Sequence, residues 1–358
     1  MFVRALIILV FVIETGPVRA DFGSGVAAYK RGEFERAHAL FESLAEAGDA
    51  RAQFALGLLY DNGEGVAEDA AAAFDWYQRS AAQGYAKAQY NLALMLESGR
   101  IGDAAEARTW FARAALNGNA DAVTRLHDYA EAQDTAAALQ LGRMYALGKG
   151  VARSPRDAYG WFDKAAEAGD PDAAFALGVL HEKGEGVAQS YAQAVRWYAR
   201  AADGGHSRAQ FNLARLYRLG RGVDRDPVRA RALYESAAAA GLASAQLSLA
   251  MLFEAGQEWP HDPAAALTWY QRAARNGSAD AQLNLAFLYA QGVGVARDEL
   301  EACALLSVAA ERGSSAARDN QALLCAELEP AALRVVEQRA DGYRAPAQVP
   351  VARLSARD

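Results

Sequence analysis

A fixed interval of 36 residues governs most of this sequence. Glycines recur at that interval, at Gly169, Gly205, Gly241, Gly277 and Gly313. A bulky side chain recurs with the same spacing, at Trp161, Trp197, Leu233, Trp269 and Leu305. Trp76 with Gly84 and Trp110 with Gly118 mark two further units upstream, so that seven units cover most of residues 49–313. Such a period is typical of solenoids, in which a unit buries its apolar face only by stacking on its neighbours.

Each unit has the pattern of two helices. Apolar residues at helical spacing form one stripe in the first helix, as at Ala209, Leu213, Leu216 and Tyr217. The second helix begins seven residues before the tryptophan position, at residues suited to N-capping: Asp69, Asp103, Ser154, Ser190, Asp226, Asp262 and Asp298. We expect the many alanines to let helices approach closely, and the large Trp or Leu to fill the space between repeats.

Glycine-rich connections such as Gly63–Val66 and Gly184–Val187 join the two helices. Glycine adopts the left-handed backbone that ends a helix without steric cost. These glycines follow helices rather than strands, so we interpret them as helix terminators and not as phosphate-binding loops.

The two-helix pattern resembles the SEL-like repeat family, a relative of the tetratricopeptide repeat. The match is A-x-x-x-L-[GA]-x-x-[YHFL]-x-x-G-x-G-V followed by A-x-x-W-[YF]-x-x-A-A-x-x-G. The resemblance implies an all-α fold, a right-handed α-α superhelix built from helical hairpins. Two connections depart from the pattern, at Gly99–Gly102 and Gly256–Pro260. In the second, we expect Trp259 to serve either as a contact point for a partner or in loop packing.

The first 20 residues have the layout of a secretory signal peptide. Arg4 precedes an apolar run from Ala5 to Ile13, and we expect cleavage after Ala20. The alternative is a membrane anchor, but the run is far shorter than the roughly 20 residues that span a bilayer. The sequence therefore predicts a periplasmic or secreted protein with no membrane span after signal removal.

The remaining boundaries follow from the repeat. Residues 21–48 form a tetratricopeptide-like starting hairpin, and residues 49–313 form the seven units, with an extra helix at 119–133. Residues 314–344 depart from the consensus and are expected to cap the stack, since terminal repeats need a polar outer face. The tail 345–358 contains two prolines and is expected to be disordered.

Composition argues against several classes of function. The formal net charge of -7 gives no electrostatic footprint for DNA or RNA. The two cysteines and five histidines lack the spacing of a zinc site, so neither a metal nor a cofactor is expected. The motifs of serine hydrolases and penicillin-recognising enzymes are absent, which predicts a protein that is not an enzyme. The alternative, an envelope enzyme or peptidoglycan-active, β-lactamase-like protein, has only the analogy of exported relatives behind it.

The two cysteines, Cys303 and Cys325, fall on consecutive helices, the second helix of unit seven and the first of the cap. In an exported protein such a pair favours a disulfide that fastens the cap, and the alternative is two reduced, buried thiols.

Binding through a groove is the function that the resemblance implies. In tetratricopeptide-like solenoids the first helix of each pair lines the concave face. Asn91, Asn212 and Asn284 match the position where tetratricopeptide relatives hydrogen-bond an extended peptide backbone. Cationic residues at groove-type positions favour an acidic segment or a C-terminal carboxylate: Arg51, Lys87, Arg143, Arg208 and Arg215. The alternative is that the asparagines hold inter-repeat contacts and the cations are merely solvated. We therefore predict a scaffold or adaptor that binds a protein or peptide partner.

Overall fold

The computed structural model describes residues 21–344, which form helices and no strand. The predicted signal peptide and disordered tail lie outside the described residues. The described residues divide into two compact units, 21–154 and 155–344.

The first unit contains eight α-helices and one short 3-10 helix. In chain order they are α1 Phe22–Lys30, α2 Phe34–Glu46, α3 Ala50–Asn62, α4 Ala70–Ala82, α5 Ala86–Glu97, the 3-10 turn Ala104–Glu106, α6 Ala107–Leu116, α7 Ala120–Glu131 and α8 Thr135–Leu147. Each helix from α1 to α8 packs on the next. The pair α1 and α2 forms the starting hairpin, and α7 is the extra helix between the second and third sequence units.

The second unit contains the remaining helices. In chain order they are α9 Pro155–Glu167, α10 Pro171–Lys183, α11 Tyr191–Asp203, α12 Ser207–Leu219, α13 Pro227–Ala239, α14 Ala243–Ala255, α15 Pro263–Arg275, α16 Ala279–Gln291, α17 Glu299–Glu311, α18 Ser315–Leu324 and α19 Pro330–Arg344. Consecutive helices pack on each other from α9 to α18, and α19 packs on α17.

The helix ends confirm the predicted signals. Asp69 caps α4 by accepting hydrogen bonds from the backbone N–H groups of Ala71 and Ala72, at 2.9 and 3.0 Å. Equivalent caps are made by Ser190, Asp226, Asp262 and Asp298. Most first helices end at a glycine with positive φ, such as Gly184 at 72°.

The core shows a difference from the sequence prediction. The five tryptophans at the repeat position, and Leu233 at the same position, are only partly buried, while the residue after each of them is buried: Tyr77, Phe111, Phe162, Tyr198, Tyr234 and Tyr270. The ring of Tyr198 lies directly on Gly178, where a Cβ would be 2.5 Å from the ring. Trp197 instead holds its face toward Arg200, whose guanidinium lies 5.6 Å from the ring centroid. The predicted tryptophan therefore packs against the core from a partly buried position, as Trp76 and Trp269 do, while the ring that follows it is the side chain buried within the core.

The second glycine of most regular connections sits against the previous second helix, and Gly294 is the exception. A Cβ at Gly222, whose φ is 72°, would lie 2.3 Å from the carbonyl carbon of Tyr191. Only glycine satisfies both that φ and that close approach, because other residues pay about 1–2 kcal/mol for the left-handed conformation alone. The glycine pattern therefore sets how closely successive helix pairs approach.

The C-terminal end is closed by α18 and α19. A disulfide joins Cys303 of α17 to Cys325, the residue that ends α18. Arg339 of α19 bonds Asp298, the N-cap of α17, at 2.7 Å. Tyr343 donates a hydrogen bond to Glu301 at 2.6 Å, and burial raises the pKa of its hydroxyl, with that carboxylate adding to the effect. These contacts anchor α19 on α17.

No helix within the described range has both the length and the apolar character that a bilayer crossing requires.

Candidate binding surface

The first helix of each pair carries a row of solvent-facing residues that we call the first-helix ridge. Its members are positions 2, 6, 9 and 13 of the helix, which share one face because 3.6 residues make a turn. In α14 they are Ser244, Ser248, Met251 and Ala255, none of them buried. In α12 they are Arg208, Asn212, Arg215 and Leu219. The ridge is therefore the part of each first helix that the stack leaves open.

All eight residues predicted for binding lie on this ridge. Four lie in the first unit, namely Arg51, Lys87, Asn91 and Arg143. Four lie in the second unit, namely Arg208, Asn212, Arg215 and Asn284. The structure brings together Arg208, Asn212 and Arg215 on α12, and Lys87 and Asn91 on α5. Their role in binding stays a prediction.

The ridge cations differ in how free they are. Arg51 pairs with Asp49 at 2.7 Å and lies 4.6 Å from the ring centroid of Phe22. The Arg51 hydrogen bond is the main cause of a lowered pKa at Asp49. Lys87 and Arg208 are exposed, and among the described residues neither has a carboxylate within ion-pairing distance. These two cations are therefore the ones open to an anionic partner in their respective units.

The asparagines bind neighbouring tyrosines. Asn91 donates from Nδ2 to the hydroxyl of Tyr77 at 3.2 Å, and Asn284 donates to Tyr270 at 3.5 Å. Asn212 occupies the same position of α12, near the Tyr198 hydroxyl. One amide donor of Asn91 and one of Asn284 are thus committed inside the stack, which is the inter-repeat role left open above.

A three-helix polar network holds the ridge of the second unit in place. Tyr198 of α11 donates to Glu182 of α10 at 2.7 Å, and Arg215 of α12 binds the same carboxylate. Burial raises the pKa of the Tyr198 hydroxyl, and the Glu182 hydrogen bond adds to the effect. The Arg215 to Glu182 bond also shows that successive first helices lie within side-chain reach. Because the network spans three helices, it orients the ridge side chains before any partner arrives.

The first unit repeats this arrangement with a different cation. Tyr77 lies 3.4 Å from Asp61, and Arg100 binds Asp61 at 2.7 Å. Arg100 comes from the short connection that departs from the repeat pattern. Asp61, Asn91, Leu94 and Arg100 are among the residues that line an open depression of about 560 Å³. Its lining combines apolar and charged side chains.

The extra helix α7 completes the next network in the first unit. Phe111 stands where four other units have tyrosine, so the second helix offers no hydroxyl to Glu97. Tyr129 of α7 donates to Glu97 at 2.7 Å instead, and Arg125 of α7 binds the same carboxylate. Burial, followed by the Glu97 hydrogen bond, raises the pKa of Tyr129 to about 12. The extra helix therefore supplies the polar contacts that the pair α5 and α6 lacks.

One network in the second unit has reversed charges. Arg218 stands 36 residues after Glu182, in the acidic position, and it donates to Glu258 at 3.1 Å. Burial is the main cause that raises the pKa of the neighbouring Tyr234 hydroxyl.

Trp259, 7% exposed, packs against the ring of Phe253. Of the two interpretations of Trp259, loop packing is the one that this burial supports.

The sequence interpretation missed an apolar stripe on the ridge of the second unit. Met251, Phe287 and Leu323 occupy position 9 of α14, α16 and α18, and they are 50%, 38% and 81% exposed. They recur at the 36-residue interval, so the signal was present in the register. It is visible only once the exposed face of the first helix is known. We call these three residues the apolar stripe.

The described residues contain no group of three or more His, Cys, Asp or Glu side chains able to hold a metal ion. The polar networks of the ridge pair tyrosine with carboxylate, asparagine and arginine. That chemistry orients side chains and recognises polar groups.

Comparison with known proteins decides the family. The Sel1 repeat profile matches seven segments, 50–85, 86–119, 135–170, 171–206, 207–242, 243–278 and 279–314. This chain belongs to the Sel1 repeat family. A Sel1 repeat protein of Oxalobacter formigenes with a solved structure is 32% identical, covers 86% of this chain and 88% of its own, and superposes with a TM-score of 0.53. The predicted all-α superhelical solenoid class is thereby confirmed.

Two further proteins are similar to this chain. A protective antigen of uropathogenic Escherichia coli with an SLR fold is 25% identical over 90% of this chain and 83% of its own, with a TM-score of 0.42. An F-box protein of Arabidopsis thaliana is 37% identical over 86 residues, so this chain spans only 24% of the length of that curated relative. Sel1 repeat proteins generally mediate protein–protein interactions and are generally non-enzymatic, so family membership indicates a protein partner.

Proposed function

We propose that this Sel1 repeat protein is an exported scaffold that binds another protein through the first-helix ridge and regulates or assembles that partner in the cell envelope. The observation that carries the proposal is the ridge itself. The first helices present equivalent positions to solvent, and polar networks such as that of Tyr198, Glu182 and Arg215 orient side chains on them. Pre-oriented side chains lose little conformational freedom on binding, which favours affinity.

Export is supported by the first 20 residues and by the cysteines. The signal-peptide layout predicts passage through the secretion machinery. Cys303 and Cys325, with Cα atoms 5.9 Å apart, form a bridge of the kind that persists in oxidising compartments. Expression of the full chain in a Gram-negative host, with mass spectrometry of the product, tests this step. A mature chain beginning at Asp21 in the periplasm is expected, and an uncleaved cytoplasmic chain would contradict export.

The binding role is tested by affinity capture from envelope extracts with the full chain. We expect Lys87→Glu combined with Arg208→Glu to deplete the captured partner, because both exposed cations lie on the ridge. Arg196→Glu is the matched control, since Arg196 is an exposed arginine on the second helix α11. Equal capture by all three proteins, or a loss only with Arg196→Glu, would contradict the ridge as the binding surface.

A further inference from the structure

We infer that the apolar stripe and Arg208 together form a docking site for an extended polypeptide segment that carries acidic residues at one end and apolar residues along the rest. The inference rests on the proposed function and names the chemistry of the partner. It assigns the ligand to the second unit, between α12 and α18.

The stripe presents the partner with apolar surface at regular intervals. Exposed apolar side chains scattered singly are ordinary, but Met251, Phe287 and Leu323 share one register position on three successive first helices. The contact between Arg215 of α12 and Glu182 of α10 shows that two successive first helices of this unit lie within side-chain reach. A chain that crosses these helices therefore meets one apolar side chain on each.

Polar groups beside the stripe favour a polypeptide backbone. Ser248, Asn284 and Asn320 occupy position 6, one helical turn from the stripe. One amide donor of Asn284 is engaged by Tyr270, and the side-chain oxygen remains to accept a backbone N–H. An extended strand has backbone polar groups along its edge and side chains that alternate between its two faces. The row of hydrogen-bonding groups therefore suits the ligand backbone, and the row of apolar groups suits every second ligand side chain.

Charge gives the ligand its direction. The ridge of α12 carries Arg208 and Arg215, whereas the ridge positions of α14, α16 and α18 carry no lysine or arginine. Arg208 is exposed, and Asp280 on the ridge of α16 is exposed and acidic. An acidic ligand end is therefore attracted to α12 and repelled from α16. The opposite orientation places like charges together.

The test uses the full chain and a yeast-displayed library of random peptides of about 12 residues, which reach about 40 Å when extended. We expect the enriched peptides to combine an acidic end with apolar residues. Their affinity should fall at least about tenfold with Met251→Ser plus Phe287→Ser, because burial of two apolar side chains is lost. Arg208→Glu should lower affinity more at low salt than at high salt.

Val228→Ser is the matched control for the stripe, since Val228 is 81% exposed on the second helix α13. Circular dichroism of each variant checks folding, which exposed substitutions leave intact. No enriched peptide, enriched peptides without this composition, or binding unchanged by the double substitution would each overturn the docking site. If envelope capture still depends on Lys87 and Arg208 while the stripe variant captures normally, the docking site fails and the proposed function stands.

Discussion

Two connections in the second unit solve the same structural problem in different ways. In the regular connection, Gly222 approaches the backbone of Tyr191 so closely that a Cβ would lie 2.3 Å away. In the irregular connection Gly256–Pro260, Glu258 takes the place of that glycine and Trp259 takes the place of the following valine. Arg218 pairs with Glu258, and the indole of Trp259 is buried. A backbone contact in one repeat is thus replaced by side-chain contacts in the next.

The difference shows which parts of the repeat are fixed. Both connections keep a glycine with positive φ at the end of the first helix, Gly220 and Gly256, and an aspartate N-cap on the second helix. The residues between these ends are free to change when a compensating contact exists. Substitutions in the two connections separate fixed elements from replaceable ones.

Trp259→Ala breaks the irregular connection and should have the largest effect. Loss of a buried indole costs about 3–5 kcal/mol. Urea unfolding followed by circular dichroism measures the loss of stability. Val223→Ala, at the same position of the regular connection, is the control and should cost about 1 kcal/mol. Equal losses would mean that the indole does not replace the glycine contact.

The disulfide extends the comparison to the C-terminal end, where a covalent bond secures the last helices. Cys303→Ser with Cys325→Ser should lower stability by about 3 kcal/mol, the value expected for closing a loop of this length. Dithiothreitol should destabilise the unaltered protein and leave the double variant unchanged. Two free thiols in the oxidised, purified protein would contradict the bridge.

Gly222→Ala tests the regular connection. It should lower the free energy of unfolding, measured by urea unfolding, by about 2–3 kcal/mol, since it adds a backbone clash to the left-handed strain. Gly294→Ala is a matched control, because Gly294 has φ of 70° but a Cβ added there would meet no atom of the described residues within 4 Å. It should cost about 1 kcal/mol from strain alone. If both substitutions have the same effect, close approach is not what selects glycine at position 222.

Substitution of His206 should have the smallest effect on stability. Its Nδ1 accepts the N–H of Ala209 at 3.1 Å and caps α12. Burial lowers the pKa of His206, and Asp172 at 3.5 Å opposes the shift. The neutral ring is thus favoured in the fold, so this stabilisation is present above the unfolded pKa near 6.5 and is lost as pH falls through the folded pKa.

His206→Asn keeps a cap without titrating, so the fall in stability at acidic pH should shrink by about 1 kcal/mol, the usual worth of an N-cap. Thermal unfolding from pH 8 to pH 5 measures it. The same acid dependence in both proteins would contradict the cap.

The boundaries of most helices were predictable from the sequence because they depend on local chemistry. The N-caps and the glycine ends act within one turn of a helix, so a single sequence shows them. The ridge was predictable as well, because the repeat register places Arg208, Asn212 and their equivalents on one face.

The contacts between helices were not predictable in the same way. Trp197 and Tyr198 are adjacent and both bulky, and their spacing alone does not show which of them lies on Gly178. The pairing of Arg218 with Glu258 joins a residue of α12 to a residue of the loop after α14 that departs from the pattern. From the sequence alone, Met251 and Phe287 of the apolar stripe would be assigned to the core, because only the structure shows which face of the helix is buried.

Site-specific photocrosslinking in intact cells tests the central claim most directly, since it asks which helices a partner touches. A photoreactive residue is placed at Leu94, Arg208 or Phe287 on the ridge, and at Arg196 or Val228 on second helices. The account predicts that the ridge positions crosslink to one shared partner and that the second-helix positions do not. Crosslinks confined to the second helices would contradict it.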